Sequence, residues 1–362
     1  MGGAELMNER AAKLIGLETL SIVEAMSRID DNCCGILFIT DATGVLKGSL
    51  TDGDIRRWIL KAGSLNAAVV SAMKTTPKTL FVDEEERAQN ILRENKITAI
   101  PLLDSQMRVV DIVLRSDGEV GGEKKKRMLT GIPVVVMAGG KGTRLYPYTK
   151  ILPKPLIPIG DTPIIERVLN EFAAYGIDHF YMTVNYKKGM IRSYFADLMP
   201  RYTIDYVEET KPLGTSGSIK LIEKKFDKPL FVTNCDALIL TDYAELYDFH
   251  VRSGNTITMV SSLKNMMVPY GVLHAGENGE LLSIEEKPKL SYFINTGMYV
   301  INPESIELIP DGVMFHMTHL IEEVMRQGGK VGMYPVSEDS FLDMGEFGEM
   351  KRMEEKLHIV SK

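Results

Sequence analysis

V-V-V-M-A-G-G-K-G-T-R-L-Y-P-Y-T-K-I-L-P-K-P-L, residues 134–156, runs an apolar stretch straight into a glycine-rich turn. The Val-rich run reads as a short buried strand. Gly139, Gly140 and Gly142 let the backbone approach a bulky ligand and adopt conformations closed to other residues. Successive N–H groups in such a turn make a concavity for an anion. Lys141, Arg144 and Lys154 add fixed positive charge after the strand, an arrangement suited to a polyphosphate. Pro147, Pro153 and Pro155 stiffen a non-helical loop and reduce the entropy it loses on holding a ligand. The spacing matches neither G-x-x-x-x-G-K-[ST] nor G-x-G-x-x-G, which disfavours a P-loop and a dinucleotide site.

Downstream of this stretch the pattern alternates between strand and helix. IIERVLNEFAAYG (164–176), KKGMIRSYFADL (187–198) and GSIKLIEKKF (217–226) read as helices; HFYMTVNY (179–186), YTIDYVEE (202–209) and PLFVTNCDALI (229–239) read as strands. Such alternation predicts right-handed βαβ units, hence an α/β domain with a mostly parallel sheet covered by helices. Ligands of these sheets sit outside the carboxyl ends of the strands. Two strands end in a carboxylate there, FVTNCDAL (231–238) at Asp236 and FLDMGEFGEM (341–350) at Asp343, 107 positions apart. Cys235 reads as a small buried side chain. His316 and His319 stand three apart with no third ligand nearby, so no metal site is assigned to them.

The string G-G-x-G-T-R-L-x-P-x-T-x-x-x-P-K-P-L (139–156) resembles, without a gap, the signature of the sugar-phosphate nucleotidyltransferases. That resemblance implies a Rossmann-like three-layer domain over 132–362. It further implies an Mg²⁺-dependent reaction of an NTP with a sugar 1-phosphate, giving an NDP-sugar and pyrophosphate. By the same resemblance Arg144 and Lys154 are catalytic. Ala138, Gly139, Gly140, Gly142 and Thr143 hold the nucleotide, and ETKPLGTSGS (209–218) adds Leu213 and Gly214 near the base. Asp236 and Asp343 ligate the metal. PYGVL (269–273), SIEEKP (283–288) and INTGMYV (294–300) match the family's sugar-pocket segments, implicating Gly271, Glu286, Lys287, Asn295 and Thr296. Two departures stand out: Cys235 replaces the usual small residue before the metal Asp, and Glu346 stands where Thr is usual after Asp343.

Residues 120–131 (VGGEKKKRMLTG) read as a seam, with 123–131 a solvated linker. Before it lies an internal repeat: FITDATGVLKGSLTDGDIRR (38–57) aligns with PLLDSQMRVVDIVLRSDGEV (101–120) at a constant offset of 63. Asp41 pairs with Asp104 and Asp54 with Asp117, and a helix-period stretch precedes each copy. Neither copy is long enough to bury a good core alone, so two face-to-face α/β halves are expected. GSLTDGDIRR (48–57) resembles the end of a CBS motif, and two copies make residues 1–122 similar to a tandem CBS, or Bateman, module. The resemblance implies a regulatory adenine nucleotide held by Thr51, Asp54 and Asp117. An Asp also caps helices well, which is the plainer reading of both aspartates. Leu114 occupies the second copy's Thr position, so the first half-site is the more complete. CBS modules ahead of this catalytic domain resemble bacterial enzymes of surface-glycan synthesis, including the guanylyltransferases of the legionaminic acid route. The resemblance favours GTP and glucosamine 1-phosphate, or a related hexose or heptose phosphate. UTP, CTP and dTTP stay open, as does a non-catalytic nucleotide sensor.

The chain's 362 residues, 44% hydrophobic and 25% charged, are ordinary globular usage and exclude a disordered tail, a collagen or a coiled-coil rod. A net charge of −7 argues against general nucleic-acid binding, which depends on neutralising phosphates. No apolar stretch approaches the ~20 residues of a membrane span, and the N-terminus lacks a secretory signal's apolar core. Three cysteines, Cys33, Cys34 and Cys235, support neither a disulfide framework nor a zinc site, so a cytoplasmic location is expected. Nineteen residues follow Asp343 and predict one closing helix rather than a hexapeptide β-helix. A homo-oligomer is expected.

Overall fold

The computed structural model describes residues 9–32, 34–61, 63–95, 97–115, 128–345 and 347–357. The chain divides into two compact units, 1–125 and 126–362. No helix among the described residues is long and apolar enough to cross a membrane.

The first unit is built twice from one pattern. In the first copy β1 (Ile15–Leu17), α1 (Ile22–Asn32), β2 (Ile36–Thr40), β3 (Leu46–Thr51) and α2 (Asp52–Leu60) follow in order. The second has β4 (Leu80–Phe81), α3 (Ala88–Glu94), β5 (Ala99–Leu103) and β6 (Val109–Leu114). Each sheet pairs its first strand parallel and its last antiparallel to the middle one. The repeated aspartates form the repeated turns. Asp41 Oδ1 accepts from the N–H groups of Thr43 and Val45, and Asp104 Oδ1 from those of Gln106 and Arg108. The two copies then exchange equivalent bonds: Leu46 N–H donates to the Met107 carbonyl and Val109 N–H to that of Gly44, both at 3.0 Å. Since 44 and 107, like 46 and 109, differ by the repeat offset, the bridge is a local pseudo-two-fold. Phe38 from one copy and Ala99 and Ile112 from the other share one core. Asp54 serves the start of α2 from its third helical position, with Thr51 rather than an aspartate as the N-cap. Thr51 Oγ1 accepts the Asp54 N–H, and Asp54 Oδ2 accepts from the Thr51 N–H and hydroxyl, a capping box on α2. Asp117 lies outside the described residues.

The second unit is organised by one seven-stranded sheet. Its elements are β7 (Val134–Ala138), α4 (Ile164–Ala173), β8 (His179–Val184), α5 (Lys188–Leu198), β9 (Thr203–Glu208), β10 (Leu230–Asn234), β11 (Ala237–Ile239) and α6 (Tyr243–Ser253). These are followed by β12 (Ile257–Met267), β13 (Val272–Ala275), β14 (Leu281–Glu285), β15 (Lys289–Ile301), α7 (Met317–Arg326), β16 (Val331–Val336), β17 (Phe341–Asp343) and α8 (Phe347–Lys356). The strand order is β9-β8-β7-β10-β15-β12-β16, and only β15 runs antiparallel to its neighbours.

Every residue of β7 is buried, which explains its unbroken apolar run. Alternate side chains go to opposite faces. Val134 and Val136 enter a core with Val168 and Phe172 of α4, while Val135 and Met137 enter another with Leu320 and Val324 of α7. The sheet is therefore filled on both sides, as a three-layer α/β domain requires. One predicted helix does not form. GSIKLIEKKF gives only a helical turn, Gly214–Gly217, and a 3₁₀ turn, Ser218–Leu221. The Thr215 and Ser216 hydroxyls there are drawn sideways, to the Met317 N–H and the Phe315 carbonyl.

Candidate active site

Strand order places the site. The chain leaves β7 outward through β8 and β9, then returns to β7's other side with β10. The carboxyl ends of β7 and β10 thus flank the point where the winding reverses, the crevice in which open α/β sheets bind ligands.

β7 delivers the glycine turn into this crevice, and close approach explains its glycines. A Cβ on Gly139 would lie 2.5 Å from Glu209 Oε1; one on Gly142 would lie 2.9 Å from Lys154 Cβ, at a φ of +63°. Thr149 Oγ1 donates to the Gly142 carbonyl at 2.8 Å. Next comes a 3₁₀ turn, Thr143–Leu145, in which buried Leu145 anchors the loop while the exposed Arg144 reaches the crevice.

β10 ends at Asn234 and hands Asp236 to the same place. Asp343 reaches it through a three-residue antiparallel ladder, β11 with β17, where Ala237 stands opposite Asp343. The Met344 N–H donates to the Asp236 carbonyl at 3.0 Å and locks the register. Lys154, itself buried, pairs its ammonium with Asp236 Oδ2. Burial pushes the Asp343 carboxyl above its usual range; the Asp236 charge adds to this, while Lys154 and Arg144 oppose it. Two carboxylates meeting at adjacent strand ends are hard donors and fit Mg²⁺, which completes its shell with water and phosphate oxygens. Asp236 and Asp343 are the residues that would hold it. Among the described residues no group of three or more His, Cys, Asp or Glu gathers for a metal.

Two joined clefts open here. The larger, about 430 Å³, is lined by Gly139, Gly140, Gly142, Thr143, Lys154 and Gly214, among others. The second, about 360 Å³, is lined by Asn234, Asn295, Thr296, Tyr299 and Asp343. Arg144, Asp236 and His316 line both. Ala138 and Leu213 are buried just behind the first cleft, and Leu213 donates its N–H to Glu209 at 3.2 Å. In the second, Asn295 donates to the Tyr299 hydroxyl at 2.7 Å. The Thr296 hydroxyl is committed to the Val260 carbonyl at 2.8 Å, so its hydrogen serves the strand pair. Gly271, Glu286 and Lys287 are not brought into these clefts. They flank the β13–β14 hairpin and are exposed, Gly271 close against Glu286, where a Cβ would meet Oε2 at 3.1 Å. Cys235 is buried, which pushes its thiol up, away from reactivity. Glu346 lies outside the described residues.

Glu209, Asn234 and His316 are among the lining residues that the reading of the sequence did not assign. Buried Glu209 supports the glycine turn, and burial raises its carboxyl despite the Leu213 N–H and Ser218 contacts. Its signal was available, since a carboxylate ending a strand before Pro212 and Gly214 repeats the pattern that marked Asp236. Asn234 fills the space left by Gly297, where a Cβ would come within 2.2 Å of Nδ2 at a φ of +80°. His316 is bonded to Thr215, 101 positions away, and no local pattern announces that.

An open, mostly parallel sheet with a cationic glycine turn and paired carboxylates at its switch point defines an α/β protein with a charged ligand crevice at its strand ends. The chain belongs to the nucleotidyl transferase family, whose profile matches residues 133–358. It is 37% identical over 184 residues to the mannose-1-phosphate guanyltransferase of Debaryomyces hansenii, covering 48% of this chain and 51% of that protein. To the UTP–glucose-1-phosphate uridylyltransferase of Synechocystis it is 34% identical over 197 residues, covering 49% and 51%. The chain thus spans about half the length of the curated relatives it matches. A solved Bacillus anthracis structure, put forward as a glucose-1-phosphate thymidylyltransferase, shares the fold. Its TM-score is 0.50 at 20% identity, over 64% of this chain and 97% of that one.

Proposed function

We propose that the chain transfers a nucleoside monophosphate from an NTP to a sugar 1-phosphate, releasing pyrophosphate. The observation that carries this is the convergence of Arg144, Lys154, Asp236 and Asp343 at the ends of β7, β10 and β17. A phosphate oxygen of the sugar phosphate attacks the α-phosphorus, and the bond from that phosphorus to the bridging oxygen breaks. The nucleophile is already an anion, so no general base is needed. The difficulty is that one anion approaches another, so catalysis is positioning and charge neutralisation. The glycine turn and Arg144 hold the leaving phosphates. Lys154, poised on Asp236, steadies the α-phosphate or the incoming one. Bound Mg²⁺ would neutralise charge on the phosphate oxygens.

GTP is the favoured donor, supported by the guanyltransferases among the relatives; the Synechocystis uridylyltransferase supports UTP as the second reading. Glucosamine 1-phosphate, or a related hexose or heptose phosphate, is the favoured acceptor, and the legionaminic acid route the favoured context. Their support is the CBS-like repeat ahead of the transferase unit. Four NTPs tested against several sugar 1-phosphates, read by pyrophosphate release, should show one preferred pair with GTP. A UTP preference would move the assignment to a uridylyltransferase, and silence across the whole matrix would leave a nucleotide sensor.

For the first unit we propose a CBS-type regulatory role, with an adenine nucleotide at Thr51 and Asp54. AMP or ATP at 100 times its Kd should add ~2.7 kcal/mol of stability. Asp54→Ala should remove that increment. It should also lower the unliganded midpoint, because the capping box is worth ~1 kcal/mol. The nucleotide-dependent increment is therefore the quantity to compare, and its absence in the native chain overturns the assignment.

A further inference from the structure

His316 stands where the two clefts join and lines both. It is the N-cap residue of α7. Its own N–H donates to His319 Nδ1 at 3.2 Å, which fixes the backbone. Its ring is fixed from the other side, since the Thr215 N–H donates to His316 Nδ1 at 3.4 Å. An Nδ1 that accepts carries no proton, so the neutral ring keeps its hydrogen on Nε2. Gly214 makes room for this ring: a Cβ there would lie 3.0 Å from His316 Nδ1 and 2.6 Å from the Phe315 carbonyl. Among the described residues no protein group accepts from Nε2. A ring held at Nδ1, with its Nε2 donor left over at the junction of a nucleotide cleft and an acceptor cleft, suits the group that must lie across that junction.

We propose that His316 is a further catalytic residue, donating a hydrogen bond through Nε2–H to the phosphate being transferred. The proposal rests on the nucleotidyl-transfer reading above. The proton stays on the ring throughout. The new oxygen–phosphorus bond and the broken bridge to the β-phosphate are those already described, and His316 stabilises the charge on the oxygens between them.

Two substitutions separate this role from that of a loop staple. In His316→Asn the side-chain amide falls where Nδ1 lies, so it keeps the bond to Thr215 and a favourable N-cap but loses the donor. In His316→Gln the amide falls where Nε2 lies, so the donor is kept and the staple lost. We expect the Asn variant to keep the native melting midpoint. Its kcat should fall roughly 10–100-fold, the range spanned by a hydrogen bond to a charged partner. The Gln variant should retain most of the turnover. A second readout needs no catalysis: affinity for the best bound of GMP, UMP, CMP and dTMP should weaken in the Asn variant and hold in the Gln variant. The opposite pattern, Asn at native rate and affinity with Gln impaired, makes His316 a staple only and overturns the proposal while leaving the function standing. Native protein that neither turns over any pair nor binds any monophosphate overturns both.

Discussion

Asp343→Asn is expected to lower turnover by ~10²–10³, the scale on which a contact to developing phosphate charge is lost, while making the metal-free protein more stable. The two effects share one cause. Asp343 is part-buried beside Asp236, so its carboxyl sits above its ordinary range, first from burial and then from the neighbouring charge. Folding therefore favours the protonated form. The stability this group contributes is present below the unfolded carboxylate pKa and is lost as pH rises through the higher folded value. Once ionised, the side chain is a cost, and Asn removes the charge at nearly the same size. Each ~1 kcal/mol relieved moves the midpoint by roughly 2–4 °C in a unit of this size. Melting curves of both proteins in chelator, run from pH 4 to 8, should show the variant's advantage growing with pH. Retained turnover would show that Asp343 does not serve the reaction, and a variant no more stable at any pH would show that it carries no strained charge.

That strain belongs to a site only partly legible in the sequence. The strand and glycine turn of 134–156 declare themselves because the information is local: a buried run, three glycines and four cations within one loop. The two aspartates are individually visible as strand ends. Their meeting is not, because it depends on a three-residue ladder too short for any periodicity to announce. Resemblance supplied that pairing, and the topology accounts for it. Over 217–226 the helical period misled: just before it the Thr215 and Ser216 hydroxyls serve the Met317 and Phe315 backbone, and only a 3₁₀ turn, Ser218–Leu221, follows. Gly271, Glu286 and Lys287 were matched to the sugar pocket one motif at a time; the fold sets them exposed at the β13–β14 hairpin, outside the lining of the two clefts. In the first unit the offset of 63 revealed the repeat, and the exchanged bonds of Gly44, Leu46, Met107 and Val109 show what the repeat builds.

Arg144→Ala should be the most damaging change on the cationic side, with kcat reduced by ~10²–10³ and the melting midpoint nearly unchanged. Arg144 is exposed on a turn whose anchor is Leu145, so the fold loses little. The reaction loses much, because this guanidinium lines both clefts and also approaches Gly345, where a Cβ would lie 3.3 Å from Nη1. It therefore reaches from the glycine-turn cleft to the neighbourhood of Asp343. Arg144→Lys should recover only part of the rate, since an ammonium restores charge without the planar fork that grips two oxygens at once. A second consequence separates Arg144 from a mere phosphate anchor. It is one of two cations that hold Asp343 down against burial. Removing it lets that carboxyl rise further, so more acid is retained at a given pH and the acidic limb of the rate profile moves to higher pH. The Lys variant should move that limb less than the Ala variant does. Pyrophosphate release measured from pH 5 to 8 would test both parts. If the Ala variant keeps near-native kcat, Arg144 is not the group that holds the leaving phosphates. If its limb stays in place while kcat falls, Arg144 acts on the phosphates alone and has no hold on Asp343.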